Sequence, residues 1–497
     1  MSDYFISFEQ AKNDLLSCAA FLAERIISSD RHSTAMQTIV PRYLTAGNVD
    51  LAAELANAVE DPFSRDKLLT AIAEKCAELD DYEYAMQLTE AIEDHGMQAQ
   101  AFERVALMMA GKGNLEQAAE VADGMAHPDF VYAGIAVHQA ANGDEAGSGD
   151  TLQQIEFATA RASALQHIAA KQIETKETEK ALNSLEQAIA AANEIEHDEE
   201  KIRTLCDIGN LFIEAKRNDK AIETFEMARM SAEVLDNIHR DFFLVNCALG
   251  FLFAGSSELA DSTLDLVTDK TQMASALLGF ARDHWSKDEK EDAIETLDEA
   301  YAILSSQREA ETRDSRARNS LLASIAAQFA GFGKTDRGVE TALENIDEDE
   351  RMAALSQIAQ ILVLRKEDEL ARQTVNLITE DSNRLLALVA VADAKQELGE
   401  KEASVSLLDE AATLVETVPQ LGARSTVLNE IAERLVDQGE TVKAREISHQ
   451  NLDLISSIRD ESSRAVELAK LSALYQRSNF DLSESEKARL EILTRTV

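Results

Sequence analysis

The chain has 497 residues, 45% of them hydrophobic, and its 91 acidic against 48 basic residues give a formal net charge of −43. This hydrophobic share is normal for a folded protein and argues against a disordered chain. Nucleic-acid binding is disfavoured, because phosphate contacts need an excess of lysine and arginine on one face. The acidity has three interpretations: a surface that keeps the protein dissolved, an adaptation to a salty interior, or attraction of a basic partner.

The chain contains only four prolines and 19 glycines, and alternating β-branched runs are scarce, so we predict an all-α protein. None of the four cysteines belongs to a CxxC pair, and all lie in apolar stretches, which is typical of free thiols in a reducing compartment. The first ten residues lack the basic and apolar regions of a secretory signal. No apolar run reaches the ~18 residues of a membrane span. We therefore expect a cytoplasmic protein without membrane insertion.

Along the chain, an apolar residue followed directly by a small one recurs at intervals of about the length of a helical hairpin. The first position holds the bulkier Val40, and the others are Ala73, Ala106, Ala136, Ala169, Gly209, Gly250, Ala281, Ala326, Ala359, Ala392, Ala432 and Ser472. Self-similarity at this period indicates a repeat architecture, in which each unit buries its apolar face against its neighbours. We predict about 13 antiparallel helix pairs, one for each of these positions.

The predicted elements follow one another as caps, repeats and a joint. A capping helix over residues 1–30 precedes a first set of repeats over 31–142. Residues 143–150 carry three glycines without an apolar anchor, so we expect a weakened or shortened helix there and interpret the segment as a joint. A second set of repeats covers 151–483, and a capping helix over 484–497 covers the last apolar face.

Residues 201–240 form the clearest unit. A first helix has one apolar face of residues at helical spacing: Leu205, Ile208, Leu211 and Phe212. Gly209 lies on that face and leaves room for a neighbouring helix. After a polar turn at 217–219, a second helix carries small and large residues on its inner face: Ala221, Phe225 and Ala228. Large residues on one helix thus face small ones on the next, as close packing requires.

The order and spacing of Leu205, Ile208-Gly209, Phe212, Ala221, Phe225 and Ala228 resemble a tetratricopeptide repeat (TPR). The resemblance extends over roughly residues 31–480 and implies a right-handed α-solenoid that binds protein segments. In most units a second small residue follows the first after twelve positions, as in Ala73/Ala85. The unit of Gly250 departs from this pattern, because Ala260 comes only ten residues later.

Units of 40 residues exceed units of 33 by seven residues, which make about two helical turns. Seven extra residues can therefore lengthen a second helix without rotating its apolar face. We predict longer second helices after four positions: Lys180, Lys220, Glu402 and Lys443. An even longer second helix is expected near residues 292–313.

A basic residue recurs eight positions before the small residue in eight units: Arg65, Arg161, Lys201, Arg318, Arg351, Arg384, Arg424 and Arg464. Acidic residues often come just before it, where they suit the start of a helix. We interpret the arginines as partners of these acids that fix the angle between units. An exposed basic ladder for anionic ligands is the alternative.

Three short motifs imitate catalytic or ligand-binding sites. Residues 330–335 end like a phosphate-binding loop, but Gln328 stands where a glycine is needed. The triplet at 239–241 lacks the other kinase motifs. Residues 142–153 have Ala146 and Gln153 where a calcium loop needs oxygen ligands. The nine histidines show no zinc spacing, so we predict no catalytic residue, no cofactor and no metal site.

In a stack of helix pairs the first helices line the concave side. The stripe next to the core-facing residues of three consecutive first helices is Cys206, Asn210 and Ile213, then Cys247, Phe251 and Ala254, then Leu278, Arg282 and Trp285. Because aromatic residues and arginine are enriched at interfaces, we predict an apolar binding groove for a peptide or helix within 206–285. The alternative is that Phe251 and Trp285 simply pack against neighbouring helices.

These features favour a non-enzymatic scaffold that binds protein or peptide segments, with acidic rims that attract basic partners. Two alternatives stay open. One is a regulatory or sensor solenoid that changes shape on binding a ligand. The other is a self-assembling structural protein, in which copies of the chain form homo-oligomers.

Overall fold

A computed structural model describes residues 4–306 and 315–495, and every regular element within them is a helix. The predicted all-α architecture is confirmed, since the helices pack in consecutive antiparallel pairs like those of TPR proteins. No helix of these described stretches combines the length and the apolar composition needed to cross a membrane.

Each pair consists of a first and a second helix. The first helices are α3 (Ser29–Thr45), α5 (Pro62–Glu78), α7 (His95–Gly111), α9 (Asp129–Ala141), α11 (Ala158–Glu174), α13 (Asp198–Glu214), α15 (Arg240–Phe253), α17 (Lys270–Ser286), α19 (Ser315–Gly331), α21 (Glu348–Leu364), α23 (Asp381–Glu397), α25 (Leu421–Asp437) and α27 (Glu461–Ser478). The second helices are α4 (Val49–Asn57), α6 (Tyr82–Glu90), α8 (Leu115–Asp123), α10 (Glu145–Leu152), α12 (Thr178–Asn193), α14 (Asn218–Glu233), α16 (Ser257–Leu264), α18 (Lys290–Ser305), α20 (Thr335–Leu343), α22 (Asp368–Asn376), α24 (Lys401–Leu414) and α26 (Thr441–Ser456). The remaining helices are α1 (Phe8–Ala11), α2 (Leu15–Ala23) and α28 (Glu484–Arg495).

The lengths of the second helices confirm the predicted difference between long and short units. Helices α12, α14 and α26 have 16 residues each and α24 has 14, followed by a 3-10 turn at Val415–Thr417. Short units such as those of α4 and α22 have second helices of 9 residues. Helix α18 ends at Ser305 after 16 residues, so it is as long as α12, α14 and α26 and not longer than these, although a longer helix was predicted for 292–313; residues 307–313 of that stretch lie outside the described residues.

The chain divides into two compact units. The first comprises Met1–Met108 together with Val363–Val497, and the second comprises Met109–Leu362. In the second unit a continuous hydrophobic core extends from Ala162 to Phe332. The glycine-rich segment 143–150 lies within this unit, where α10 has only 8 residues and packs against α9. That this segment acts as a joint remains a prediction.

Glycines allow two first helices of the second unit to approach one aromatic ring. Phe225 of α14 is buried, and its ring lies against Gly209 of α13 and Gly250 of α15. A Cβ atom added at Gly209 would lie 2.7 Å from the ring, and one added at Gly250 would lie 2.3 Å from it. The ring therefore occupies the space that the absent side chains leave, as the sequence predicts for Gly209.

A buried aspartate near the start of three first helices ties each unit to the next. Asp66, Asp129 and Asp241 each accept hydrogen bonds from two backbone N–H groups, 27 and 28 residues further along the chain. These amides lie after the following short second helix, directly before the next first helix begins, where backbone N–H groups lack helical partners. The carboxylate satisfies them and fixes the start of the next pair.

These aspartates show that the register predicted for the unit of α15 was wrong. Asp241 precedes Ala248 by seven residues, just as the other two aspartates precede Ala73 and Ala136. Ala248 is fully buried, and Ala260 follows it after the usual twelve residues. The recurring small residue of this unit is therefore Ala248 and not Gly250.

The recurring arginines bind both backbone carbonyl groups and acidic side chains. Arg161, Arg351 and Arg424 each donate to the carbonyl oxygen six residues earlier, in the loop that leads into their helix. Acidic partners are as frequent: Arg384 pairs with Asp381, Arg351 approaches Glu348 at 3.6 Å, Arg65 lies 2.9 Å from Glu93, and Arg161 pairs with Glu194. The arginines therefore order the connection between consecutive pairs through both kinds of partner.

The two ends of the chain pack against each other within the first unit. Helix α2 packs against α27 and against α3, in the position of a second helix for the unit of α27, while α28 packs against α1, α2 and α26. Ser462 Oγ donates to the carbonyl oxygen of Arg31 at 2.9 Å, and Arg31 lies 3.3 Å from Asp460. We call the assembly of α2, α3 and α27 the chain-end joint. Helix α2, near the start of the sequence, thus completes the repeat of α27.

Helix α28 is held near this joint by a buried carboxylate. Glu486 is fully buried and accepts hydrogen bonds from Arg445 Nη1 at 2.8 Å and from the Tyr475 hydroxyl at 2.6 Å. Burial by itself raises the pKa of Glu486. The bonds from Arg445, Tyr475 and Ser483 outweigh that effect and lower the pKa to about 2.

Because this pKa is lower in the folded state than in the unfolded state, the ionised Glu486 stabilises the fold above about pH 4.5. The stabilisation is lost as the pH falls from there towards 2, and it amounts to on the order of 2–3 kcal/mol. We expect Glu486→Gln to lower the free energy of unfolding at pH 7 and to reduce its dependence on pH in this window. Denaturant titrations of both proteins at several pH values measure this, and parallel pH profiles would contradict it.

Candidate partner-binding site

The structure separates the predicted groove residues into buried and accessible groups. Four of them are buried: Cys206, Cys247, Phe251 and Leu278. Asn210 and Arg282 are exposed, and Ile213 and Trp285 are half-buried. All eight residues belong to the second unit. Only the accessible four can contact a partner while the protein keeps its fold.

Cys247 and Phe251 belong to the core because the register of their helix is two residues earlier than predicted. The Phe251 ring packs edge-on against Phe225, with ring centroids 6.0 Å apart. The Cys247 sulfur lies 3.9 Å from the sulfur of Cys206. The hydrogen bond with Cys206, together with burial, raises the pKa of the Cys247 thiol. The groove prediction is therefore corrected at these two positions.

In the corrected register, Leu249 is the residue of α15 that matches Asn210 of α13 and Arg282 of α17. Leu249 is half-buried and packs against Gly279 of α17. A Cβ atom added at Gly279 would lie only 2.6 Å from Leu249 Cδ2. The position that matches Ile213 and Trp285 is Leu252, which is buried; its neighbour Phe253 lies one helical turn after Leu249 and is 52% exposed. We define the first-helix strip by its residues: Asn210, Ile213, Leu249, Phe253, Arg282 and Trp285.

Sequence reasoning missed the exposed apolar side of α15. Phe242, Leu249 and Phe253 are spaced seven and four residues apart, which places them on one side of the helix. Phe242 is 44% exposed. The signal was available, since α15 is apolar on nearly all sides and a helix of this kind is normally covered completely. In this helix one apolar side faces outwards.

Trp285 is held by groups from two neighbouring segments. Its ring stacks on Phe332, with centroids 4.3 Å apart and planes inclined by 14°. Lys290 Nζ lies 5.7 Å from the centre of the Trp285 ring. On the preceding turn of the helix, Arg282 Nε donates to Gln328 Oε1 at 2.8 Å. Trp285 thus packs against a neighbour, as the alternative interpretation expected, while part of its surface remains accessible.

One group in the described part of the chain has metal-ligand atoms close together. His284, Glu289 and Asp292 offer a nitrogen and two carboxylate oxygens within 4.8 Å of one another. Glu289 and Asp292 are exposed, and His284 Nδ1 lies 2.7 Å from Glu289 Oε2. Exposed carboxylates are frequent in so acidic a chain, so we assign this group a hydrogen-bonding role at the turn before α18.

The helix pairs, the small residues at their contacts and the alternation of first and second helices define an all-α solenoid of TPR-like repeats. The strip lies on first helices of this solenoid. The prediction of a TPR-like helical repeat protein is confirmed.

No family model matches the chain, and no curated protein matches its sequence. Solved structures are similar at low identity. Ton1535 from Thermococcus onnurineus NA1 is 17% identical, with a TM-score of 0.26, over 71% of this chain and 97% of that one. TPR-like repeats of a putative kinesin light chain from Podosopora anserina are 18% identical, with a TM-score of 0.25, over 46% of this chain and 100% of that one. The apo form of RapI is 12% identical, with a TM-score of 0.31, over 77% and 97%. At such identities the similarity concerns the fold alone.

Proposed function

We propose that the protein is a non-enzymatic scaffold that binds a segment of a partner protein on the first-helix strip. The observation that carries the proposal is the exposed apolar side of α15, where Phe242 and Phe253 are both about half exposed. Large apolar side chains that remain accessible on a well-packed framework are typical of interaction surfaces. A cytoplasmic location belongs to the same proposal and is supported by four free cysteines.

The strip has the composition of an interface centre. Trp285 and Phe253 can bury further apolar surface against a partner, and each large side chain that becomes fully buried contributes about 1.5–3 kcal/mol. Arg282 and Asn210 can supply hydrogen bonds beside them. The expected occupant is an amphipathic helix or extended segment that presents apolar side chains to the strip.

The charge of the chain favours a basic segment. A formal net charge of −43 raises the rate at which cationic partners meet the surface, and salt screens this attraction. Association should therefore slow as the salt concentration rises, while dissociation, which depends on the apolar contacts, changes less.

We expect Trp285→Ala to weaken partner capture about tenfold, because truncation of a central aromatic residue typically costs more than 1 kcal/mol of binding free energy. The full-length protein and the variant serve as baits for native lysate, and the captured proteins are quantified. Circular dichroism of both baits checks that the helices are intact.

Met230→Ala is the matched control, since Met230 is an exposed apolar residue on the second helix α14. It should leave capture unchanged. A photoreactive residue at position 253 should cross-link to the captured partner, and one at position 230 should not. Equal capture by the wild type and Trp285→Ala, or equal cross-linking at both positions, would show that the strip is not the binding surface.

A further inference from the structure

A cavity of about 390 Å³ lies in the first unit between the second helices α22 and α24. Its floor is α23, against which both of these helices pack. The volume falls within the range of small-molecule sites. No residue of the first-helix strip lines this cavity, so its role is a separate question.

The cavity is a channel along α23 with an apolar middle. Its lining includes apolar residues from all three helices: Ala371, Val375, Leu388, Val391, Ala403 and Leu407. Lys395 lines one end of the channel and lies seven residues after Leu388, which corresponds to about 10 Å along the helix. This distance exceeds the reach of the four-carbon stem of a lysine side chain. The channel therefore suits a longer linear aliphatic chain.

The end of the channel at Lys395 carries an excess of negative charge. Lys395 is buried, and its Nζ donates to Asp368 Oδ2 at 2.6 Å and to Glu400 Oε2 at 2.5 Å. Burial by itself lowers the pKa of Lys395, but the bonds to the two carboxylates outweigh this effect and raise the pKa above its ordinary value. Lys395 is therefore an ammonium ion, and two carboxylates share its one positive charge.

The residues that flank this end do not balance the excess. Residues 365–369 hold two basic and three acidic side chains, and so do residues 395–402. The second oxygens of the two carboxylates, Asp368 Oδ1 and Glu400 Oε1, accept no hydrogen bond from the described residues. The Asp368 and Glu400 side chains are 59% and 41% exposed. A second cation can therefore approach both carboxylates from the mouth of the cavity.

The end of the channel at Arg384 is balanced in charge. Arg384 donates from Nη2 to Asp381, and Arg372 Nη2 lies 3.8 Å from Glu410 Oε2. Each guanidinium group thus has one carboxylate near it, and Asn376 adds an uncharged amide to the lining. This end favours neither an anion nor a cation, so the end at Lys395 decides which charge a ligand carries.

We propose that this cavity binds a linear aliphatic amine, with its ammonium group on Asp368 and Glu400 and its chain along α23. The ligand completes an alternating arrangement in which two ammonium groups face two carboxylates. Charge-assisted hydrogen bonds to the second carboxylate oxygens hold the head group, and the apolar middle removes the chain from water. The formal net charge of −43 also favours a cationic ligand over an anionic one.

Calorimetric titration of the full-length protein tests the proposal with three probes of equal chain length: octylamine, octanol and octanoate. We expect saturable binding of one octylamine per chain. Octanol lacks the charge and should bind about fivefold more weakly, and octanoate should bind about tenfold more weakly or less, because Asp368 and Glu400 repel its carboxylate. Octylamine binding should weaken as the salt concentration rises.

Asp368→Asn should weaken octylamine binding about tenfold, because it removes one of the two carboxylates that hold the head group. The amide oxygen of the new side chain can still accept a hydrogen bond from Lys395. Asp409→Asn is the matched control, since Asp409 of α24 pairs with Lys443 at 2.6 Å and does not line the cavity. It should leave octylamine binding unchanged.

A further variant tests the location without altering charge. Ala403 is half-buried on the wall of the cavity, and Ala403→Phe should fill the channel and abolish octylamine binding while the helical signal in circular dichroism persists. The proposal is overturned if octylamine does not bind, if octanol or octanoate binds as tightly, if Asp368→Asn binds octylamine like the wild type, or if the folded Ala403→Phe variant does.

Discussion

Leu22→Ala is expected to destabilise a helix more than 430 residues further along the chain. Leu22 belongs to α2, is 1% exposed, and lies in the chain-end joint, where α2 packs against α27. Removing a fully buried leucine side chain costs about 2–5 kcal/mol, because apolar contacts are lost and a cavity remains. Because α2 acts as the second helix of α27, backbone amides of α27 should lose protection against hydrogen exchange.

Ile27→Ala is the matched control for this prediction. Ile27 is also aliphatic and lies five residues from Leu22, but it is 100% exposed. Its truncation should change the free energy of unfolding by less than about 0.5 kcal/mol. If Leu22→Ala lowered protection in α3 and left α27 unaffected, α2 would be a cap for the first repeat only.

Phe225→Ala should cause the largest loss of stability in the second unit, about 3–5 kcal/mol. The Phe225 ring is 1% exposed and fills the space beside Gly209 and Gly250, so its removal leaves a cavity between two first helices. Urea denaturation followed by circular dichroism measures the effect. Phe253→Ala is the control, because Phe253 is 52% exposed and its loss should cost about 1 kcal/mol or less.

The same contact can be tested from the glycine side. Gly250→Ala places a Cβ atom 2.3 Å from the present position of the Phe225 ring, and overpacking of this kind costs about 1–3 kcal/mol. Combining Gly250→Ala with Phe225→Leu should recover part of the loss, since the smaller side chain makes room. Additive effects of the two substitutions would contradict this direct contact.

The repeat architecture was predictable because each unit is local. Each unit consists of a first helix, a turn and a second helix in one continuous stretch of sequence. The spacing of apolar and small residues predicts these elements, as in residues 201–240. The lengthened second helices followed from the same spacing. Residues outside a unit were not needed to predict the helices of that unit.

The register of α15 was harder, because both Cys247-Ala248 and Leu249-Gly250 fit the pattern of an apolar residue followed by a small one. The distinguishing residue is Asp241, which needs a structure to be recognised as the carboxylate that binds the amides at 268 and 269. The error moved the predicted strip by two residues on α15. It placed the buried Phe251 in the strip, at the position that belongs to Leu249.

The chain-end joint had no local signal. The sequence predicts that 1–30 and 484–497 cover apolar faces. The residues of an apolar face do not specify which helix packs against it. Ser462 and Arg31 are in contact although they are 431 residues apart in sequence. Helical periodicity indicates only local structure and does not predict such long-range contacts. The cavity lined by α22, α23 and α24 was not predicted from the sequence either, because its volume depends on the distance between two second helices.

The chain-end joint also has a consequence for synthesis in the cell. Helix α2 ends at residue 23 and leaves the ribosome long before α27, which begins at residue 461. At about 5–20 residues per second, the nearly all-apolar α2 spends roughly 20–90 s without its partner. Chaperones that bind apolar segments of nascent chains would meet α2 during this interval, which ends once α27 has been synthesised.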